Sequence, residues 1–261
     1  MFVSFRRFIA IFYVAFSLIF FGSANGEAKS LKLCYLEWGK FGGEALPDKG
    51  FIPDAMTRIF RHAGYEVEIF IRPWTRCIEQ TKRLKFDLVA DAWKGPTFDA
   101  DFDYLQTHHI DSINFVARKT SGIADGQISS LKGRRVGYLA TSGGLEKFYA
   151  NQHVFSQVTK VHTETAMLRI LAKGRVDVIV SDPLQLLAVA EKLQPPMAAD
   201  LIVLEPALQL NYGAALISKQ HPAKREIMTA FGRAFRALRG TNMYEQLVKK
   251  HGVKFKLAPL P

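Results

Sequence analysis

Residues 171–183 read Leu-Ala-Lys-Gly-Arg-Val-Asp-Val-Ile-Val-Ser-Asp-Pro, and they contain the end of a helix, a strand and the start of another helix. Gly174 ends the helical pattern, and the apolar run 176–180 is typical of a buried strand. Asp182 is a suitable N-cap, and Pro183 a suitable first residue, for the helix that follows. The stretch therefore predicts a helix–strand–helix unit, the building block of α/β folds with mostly parallel sheets.

The same pattern occurs earlier in the chain, where residues 84–90 read Leu-Lys-Phe-Asp-Leu-Val-Ala. Two such α/β units, joined by strands near 114–119 and 212–218, predict two lobes with a double crossover between them. The predicted strands are 31–36, 66–71, 86–90, 114–118, 134–139, 158–161, 176–180, 201–204 and 212–217, and the predicted helices are 51–63, 73–84, 145–151, 163–172, 182–192, 222–238 and 241–250.

The N-terminus has the three parts of a secretory signal peptide. Arg6 and Arg7 precede an apolar run over 8–21, and small residues follow over 22–26. A membrane anchor that is not cleaved is the alternative, but a membrane span needs about 20 apolar residues. We expect a signal peptide over 1–26 and a soluble, periplasmic mature protein.

The composition is that of a globular protein with a basic surface. Of the 261 residues, 48% are hydrophobic and 23% charged, which excludes disordered and collagen-like chains. The formal net charge of +11 falls to about +9 once Arg6 and Arg7 are removed with the signal peptide. An exported protein rarely meets nucleic acid, and no nucleic-acid-binding motif is present. The charge instead favours anionic ligands or an anionic membrane surface through steering.

The two cysteines, Cys34 and Cys77, either form a disulfide in an oxidising compartment or remain buried free thiols. A metal site built on them is not expected, because no histidine or second cysteine pair lies at ligand spacing. His108 and His109 are adjacent, so in a strand they would point to opposite faces. No metal and no cofactor are predicted.

Several phrases together resemble the family 3 extracellular solute-binding proteins of the polar amino-acid class, over roughly residues 31–252. The resemblance implies a two-lobed fold with a hinge, in which lobe I comprises 30–117 and 219–261 and lobe II comprises 118–218. It also favours the Cys34–Cys77 disulfide, because a subgroup with a cysteine after the Pro-Trp-x-Arg phrase has another in its first strand. The phrases are the two strand-initial Asp segments quoted above, Gly50-Phe51-x-x-Asp54, Pro73-Trp74-x-Arg76, 130–137 and the Asp177/Asp182 pair.

The resemblance implies a cleft between the lobes, but one of its elements is missing here. Amino-acid binders of this family carry an arginine about twelve residues after the strand aspartate, and that position is Asp99 in this chain. Lys94 is a candidate substitute for the missing charge. Asp182 matches the carboxylate that binds the amine of the solute. The other candidate ligand-binding residues are Glu37, Trp38, Phe51, Trp93, Thr141, Ser142 and Gly143.

The resemblance therefore predicts a monomeric binding protein, not an enzyme, that captures a small polar or anionic solute and delivers it to an ABC transporter permease. A stand-alone periplasmic sensory or scaffold module is the alternative. A dehydratase-like enzyme on the same fold is a further one, which would require an acid–base pair such as His108 or His109 with Asp99.

Overall fold

The computed structural model describes residues 29–140, 142–254 and 256–259, so the predicted signal peptide and Thr141 lie outside the described residues. The described residues form ten strands and seven helices. The strands are β1 Lys29–Tyr35, β2 Tyr65–Ile71, β3 Leu88–Trp93, β4 Phe102–Tyr104, β5 His109–Arg118, β6 Arg135–Leu139, β7 Gln157–Val161, β8 Val178–Ser181, β9 Leu201–Val203 and β10 Gln209–Ser218. The helices are α1 Phe51–His62, α2 Trp74–Lys82, α3 Glu146–Ala150, α4 Glu164–Ala172, α5 Pro183–Lys192, α6 Lys224–Arg239 and α7 Met243–His251.

The strands lie in the order β2-β1-β3-β10-β5-β8-β6-β7, with β4 beside β10 and β9 beside β5. On one side β1 pairs in parallel with β2 and β3, and on the other side β6 pairs in parallel with β7 and β8. Each parallel group is the sheet of one lobe. The prediction of a two-lobed α/β fold is therefore confirmed.

Two antiparallel strands cross between the lobes. The first half of β5, His109–Ile113, pairs with the first half of β10, Gln209–Gly213. The second half of β5 then pairs with β8 and β9 in one lobe, and the second half of β10 pairs with β3 and β4 in the other. The predicted crossover strands were too short, because the halves that cross are rich in polar residues and lack an apolar run.

Separate apolar cores stabilise the two lobes. In lobe I, α1, α6 and α7 pack their apolar faces on β1 and β3, and Phe51, Phe60 and Phe231 are fully buried there. In lobe II, Phe115 and Phe148 are buried on one face of the sheet, while α4 and α5 cover the other. None of the helices in the described ranges combines the length and apolar character that a membrane crossing requires.

Local capping follows the sequence closely. Thr163 Oγ1 accepts a hydrogen bond from Ala166 N at 3.1 Å, and Asp182 Oδ1 accepts one from Leu184 N at 2.8 Å, as predicted for two N-caps. The predicted cap at Thr241 is displaced by one residue, since α7 begins after Asn242. The Thr241 hydroxyl still accepts a hydrogen bond from Met243 N.

A disulfide joins Cys34 of β1 to Cys77 of α2, with a Cα–Cα distance of 5.4 Å. Both cysteines are fully buried in lobe I. The predicted disulfide is confirmed, and it fixes α2 to the sheet near the carboxyl end of β1.

Candidate functional site

The two lobes are in contact across the cleft. A Cβ built on Gly39, in the loop after β1, would lie 2.9 Å from Gln185 Oε1 of α5. A Cβ built on Gly144 in lobe II would lie 2.7 Å from the Trp93 ring of lobe I. The structure therefore shows the lobes closed, with the loops at Gly39 and Gly144 each packed tightly against the opposite lobe.

Six buried polar side chains converge where the lobes meet, and we call them the interlobe cluster. Each is at most 6% exposed. They come from the ends of β1 and β3, from the start of β5 and the residue before it, and from the start of α5. Because three of them are carboxylates, the cluster carries negative charge inside the protein. The members are Tyr35, Asp91, His108, His109, Asp111 and Asp182.

One half of the cluster is held by hydrogen bonds. His109 Nε2 lies 2.9 Å from Asp111 Oδ2, and Trp93 Nε1 donates to the same oxygen at 2.7 Å. Trp93 also packs edge-on against Trp38, with ring centroids 5.5 Å apart. Asp111 thus fixes the orientation of both His109 and Trp93.

The other half has acceptors without donors. Neither oxygen of Asp91 has a hydrogen-bond partner among the described residues, and His108 Nε2 lies 3.1 Å from Oδ1 but out of line for a hydrogen bond. The Tyr35 hydroxyl, Asp182 Oδ2 and Gln185 Oε1 also have no hydrogen-bond partner among the described residues. Leaving a buried polar group unpaired costs about 1–3 kcal/mol, so proteins rarely retain several of them together.

Burial and mutual charge set the protonation of the cluster. Burial lowers the pKa of His109, but the charges of the nearby Asp91 and Asp111 carboxylates outweigh burial and raise the pKa to about 9. Burial raises the pKa of Asp182, and the Asp111 charge adds to this, giving about 7. Burial and then the Asp91 charge raise the pKa of Tyr35. The cluster therefore favours binding positive charge.

Three of the residues predicted from the sequence meet at this place. Trp38 and Trp93 contact each other, Trp93 bonds to Asp111, and Asp182 faces the same charges. Asp182 also caps α5, so its capping role and a place in the cleft coexist.

Other predicted residues lie elsewhere. Glu37 is exposed, and its Oε1 accepts a hydrogen bond from Glu44 N at 3.0 Å on the outer side of lobe I. Phe51 is fully buried in the lobe I core, where its ring meets Phe41 at 5.8 Å and His251 at 6.1 Å. The structure does not bring Glu37 or Phe51 to the interlobe cluster.

The predicted anion-binding residues do not converge either. Lys94 is exposed, and its Nζ lies 5.4 Å from the centroid of the Tyr104 ring. Ser142 donates to the carbonyl of Gly143 at 3.3 Å, and Gly143 is exposed. Thr141, between them and β6, lies outside the described residues.

The sequence reasoning missed Tyr35, Asp91 and Asp111, and it misjudged the two histidines. His108 precedes β5, so strand alternation does not apply to it, and the rings of His108 and His109 lie 4.8 Å apart on the same side. The expectation of opposite faces was wrong for this reason. A usable signal was Asp91 itself, a carboxylate within an otherwise apolar buried strand.

A separate groove of about 830 Å³ lies outside the cleft, along the outer side of β2. Its walls include Leu36, Glu37, Lys49, Ile69, Arg72 and Trp74. Because β2 is the last strand of the sheet on that side, the groove borders a sheet edge.

Solved structures with the same fold are numerous. The P235GK mutant of ArgBP from T. maritima has a TM-score of 0.66 at 18% identity, over 86% of this chain and 96% of that one. The probable amino-acid ABC transporter extracellular-binding protein ytmK from Bacillus subtilis has a TM-score of 0.71 at 15% identity, over 86% and 97%. An ABC uptake transporter substrate-binding protein from Streptococcus pneumoniae with bound histidine has a TM-score of 0.67 at 18% identity, over 87% of this chain and 94% of that one.

The curated proteins contain no match to this chain. The sequence profile of the bacterial extracellular solute-binding proteins, family 3, matches residues 47–254, which is most of the chain. The chain therefore belongs to the family 3 bacterial extracellular solute-binding proteins.

Proposed function

We propose that this protein captures a small polar solute bearing a cationic group, and that the solute binds between the lobes at the interlobe cluster. The observation that carries the proposal is a set of buried acceptors that have no hydrogen-bond donor among the described residues: both oxygens of Asp91, Asp182 Oδ2 and Gln185 Oε1. An ammonium or guanidinium group has donors and no acceptors, so it satisfies such a set directly.

The charge of the site argues against an anionic solute. Among the described residues no lysine or arginine is buried, and the charge of protonated His109 faces three buried carboxylates, Asp91, Asp111 and Asp182. Lys94, the candidate substitute for the missing family arginine, contacts Tyr104 instead. Trp38 and Trp93 add ring faces and edges beside the carboxylates, and aromatic faces attract cations further.

Closure of the lobes supports capture by a hinge. Since the cluster is buried when the lobes are shut, a solute enters only when they separate. We assign the hinge to the paired segments 109–113 and 209–213. The sequence predicts lobe I over 30–117 and 219–261 and lobe II over 118–218, but 114–118 pairs with β8 and β9 and 214–218 pairs with β3 and β4, so we propose that the lobe boundaries lie at the hinge instead. Hinge closure then presents a surface formed by both lobes to a partner.

The partner we propose is the permease of an ABC transporter, with the protein acting as an exported monomer in the periplasm. The predicted signal peptide over 1–26 supports export. ABC transporter binding proteins among the structural neighbours support the kind of partner.

A thermal-shift screen tests the solute class. Amines and basic or neutral amino acids should raise the melting temperature of the EDTA-treated protein in a concentration-dependent way, because ligands stabilise the state they bind. Organic acids and sugars should not. A shift produced only by dicarboxylates or sugars would overturn the proposed class.

Calorimetric titration with the selected amine tests the contribution of Asp182 to binding. Asp182→Asn should weaken binding at least about 30-fold, because it removes the charge partner of a buried cation. In the unmodified protein, affinity should rise about tenfold per pH unit up to about pH 7 and then level off, following ionisation of Asp182. Asp99→Asn, at the exposed position of the missing arginine, is the control and should bind normally.

The same titration separates the alternatives. A stand-alone sensory or scaffold module would bind no solute tightly, and an enzyme would consume it. The acid–base pair of His108 or His109 with Asp99 has no support, since Asp99 is exposed and its backbone carbonyl accepts a hydrogen bond from Lys219. We therefore expect the recovered solute to be chemically unchanged.

A further inference from the structure

We propose that Asp91, His108 and His109 bind a divalent transition-metal ion of the zinc class at the floor of the cleft. This site goes beyond the proposed solute but shares Asp91 with the proposed solute site, so its tests are made without solute. All three side chains are at most 2% exposed, and one nitrogen or oxygen from each lies within 4.8 Å of the others.

Two of the three separations between the side chains are those expected of ligands to one ion, and all three ligand atoms lie within 4.8 Å of one another. Asp91 Oδ1 lies 3.1 Å from His108 Nε2 and 3.7 Å from His109 Nδ1. Two ligands bound tetrahedrally at zinc distances lie about 3.4 Å apart. The contact between Asp91 and His108 is close but out of line for a hydrogen bond.

Asp111 provides the second independent feature. Its Oδ2 lies 2.9 Å from His109 Nε2, and because a carboxylate only accepts, that nitrogen carries a proton. The other ring nitrogen, Nδ1, lies 3.7 Å from Asp91 Oδ1. Histidine ligands of metals commonly donate their other N–H to a carboxylate in this way. Trp93 donates to the same oxygen and holds Asp111 in place.

The backbone is shaped to bring the two imidazoles together. A Cβ on Gly213 of β10 would lie 1.8 Å from His109 Cε1, so the ring packs directly on the glycine. His108 N donates to the carbonyl of Gly213 at 3.0 Å. Gly213 is thereby tied to both histidines.

The ligands lie on one side of the cleft. Asp91 is on β3 of lobe I and the histidines lie at the lobe I end of the hinge, where β5 begins beside β10, while Asp182 at the start of α5 belongs to lobe II. Separation of the lobes leaves the three ligands together, which gives an ion a route to a site that is already formed.

The ligand types select the class of metal. Two imidazoles and one carboxylate suit zinc, cobalt, nickel or copper, whereas magnesium and calcium prefer oxygen ligands. Cobalt(II) is a suitable probe, because its visible absorption reports tetrahedral nitrogen and oxygen ligation.

The test is calorimetric titration of zinc chloride into EDTA-stripped, dialysed full-length protein, together with the absorption spectrum of the cobalt(II) form. We expect one zinc ion per chain and tetrahedral cobalt bands. Asp91→Asn and His108→Gln should each weaken zinc binding at least about 100-fold, and Asp111→Asn, which acts through His109, about 10- to 100-fold.

The matched control is His221→Gln, which removes a histidine that also pairs with an aspartate. His221 Nε2 lies 2.9 Å from Asp87 Oδ1, elsewhere in lobe I. This variant should bind zinc as the unmodified protein does. Equal loss in His221→Gln, or unaltered binding in Asp91→Asn, would overturn the site.

The unmodified protein decides the matter even if a variant does not fold. Absence of zinc uptake, or a cobalt spectrum without tetrahedral bands, would contradict the proposal directly. Both measurements are made without any organic solute. Failure to find an amine ligand would therefore leave the metal result standing, and the reverse also holds.

Discussion

Two buried aspartates of lobe I, Asp54 and Asp91, have similar exposure and opposite surroundings. Asp54, on α1, is 5% exposed and accepts hydrogen bonds from Arg58 Nε at 2.8 Å, from Lys250 and from His251. Asp91 is 2% exposed, and its oxygens accept no hydrogen bond from the described residues. Burial of a carboxylate therefore does not reveal its role, whereas its partners do.

The partners of Asp54 make it part of the fold. Lys250 and His251 lie at the end of α7, so the carboxylate ties the last helix to α1. Burial raises the pKa of Asp54, but the hydrogen bonds from Lys250, Arg58 and His251 outweigh burial and lower it. Its contribution to stability is present above the unfolded pKa and lost as the pH falls through the folded one.

The buried polar groups of the interlobe cluster lower the stability of the fold, whereas Asp54 and its partners raise it. The acceptors of the cluster are retained at a cost to stability, as is common where a protein binds something. Substitutions in the two regions should therefore act in opposite directions, and the following variants test that contrast.

The largest expected effect is a gain in stability from Asp182→Asn. Because burial and the Asp111 charge raise the pKa of Asp182 to about 7, ionising it in the folded protein costs at most about 4 kcal/mol above neutral pH. Asparagine preserves the N-cap of α5. Urea unfolding at pH 5 and pH 8 with EDTA present measures the difference.

The sign of this effect is fixed by the direction of the shift. A raised carboxyl pKa gives stability that is present below the unfolded value of 3.8 and lost as the pH rises through about 7. The variant should lack this loss of stability. The unmodified protein should show it, because His109, Asp111 and Tyr35 do not remove it. Parallel pH profiles for the two proteins would show that Asp182 ionises without cost.

The next effect is a loss of stability from Gly213→Ala. The new Cβ would lie 1.8 Å from His109 Cε1 and within 2.5 Å of both ring nitrogens, so the ring must move. Overpacking of this kind costs about 3 kcal/mol. Gly95→Ala is the control, since no atom lies within 4 Å of its built Cβ. Thermal unfolding of both variants should separate them, and equal melting temperatures would refute the packing of His109 on Gly213.

The smallest effect compares Asp54→Asn with Asp91→Asn. Loss of charged hydrogen-bond partners at Asp54 should destabilise the fold by about 2 kcal/mol. Asp91→Asn should cost less than this in metal-free protein, because its oxygens accept no hydrogen bond from the described residues and only its attraction to His109 is lost. Chemical denaturation in EDTA measures both. A larger loss at Asp91 than at Asp54 would reverse the contrast between the two regions.

Much of the fold follows from local sequence rules. The alternation of apolar strands with capped helices predicted both lobes, and Thr163 and Asp182 cap the helices expected of them. β4, a strand of three residues, was missed because so short a segment carries no periodic signal.

The site was predictable only in part. Trp38, Trp93 and Asp182 could be placed because they follow strands whose ends meet at the cleft. Glu37 occupies a similar position but turns outward to bond Glu44 N. The convergence of Asp91 with His108 depends on the pairing of β10 with both β3 and β5, which connects segments over a hundred residues apart. No local pattern encodes that pairing.

The most direct test of the account is a crystal structure of the protein with the amine that the thermal-shift screen selects. We expect the cationic group of the amine within hydrogen-bond distance of Asp91 or Asp182, beside Trp38 and Trp93. Density for the amine in the groove along β2, with the interlobe carboxylates contacting only water, would contradict it.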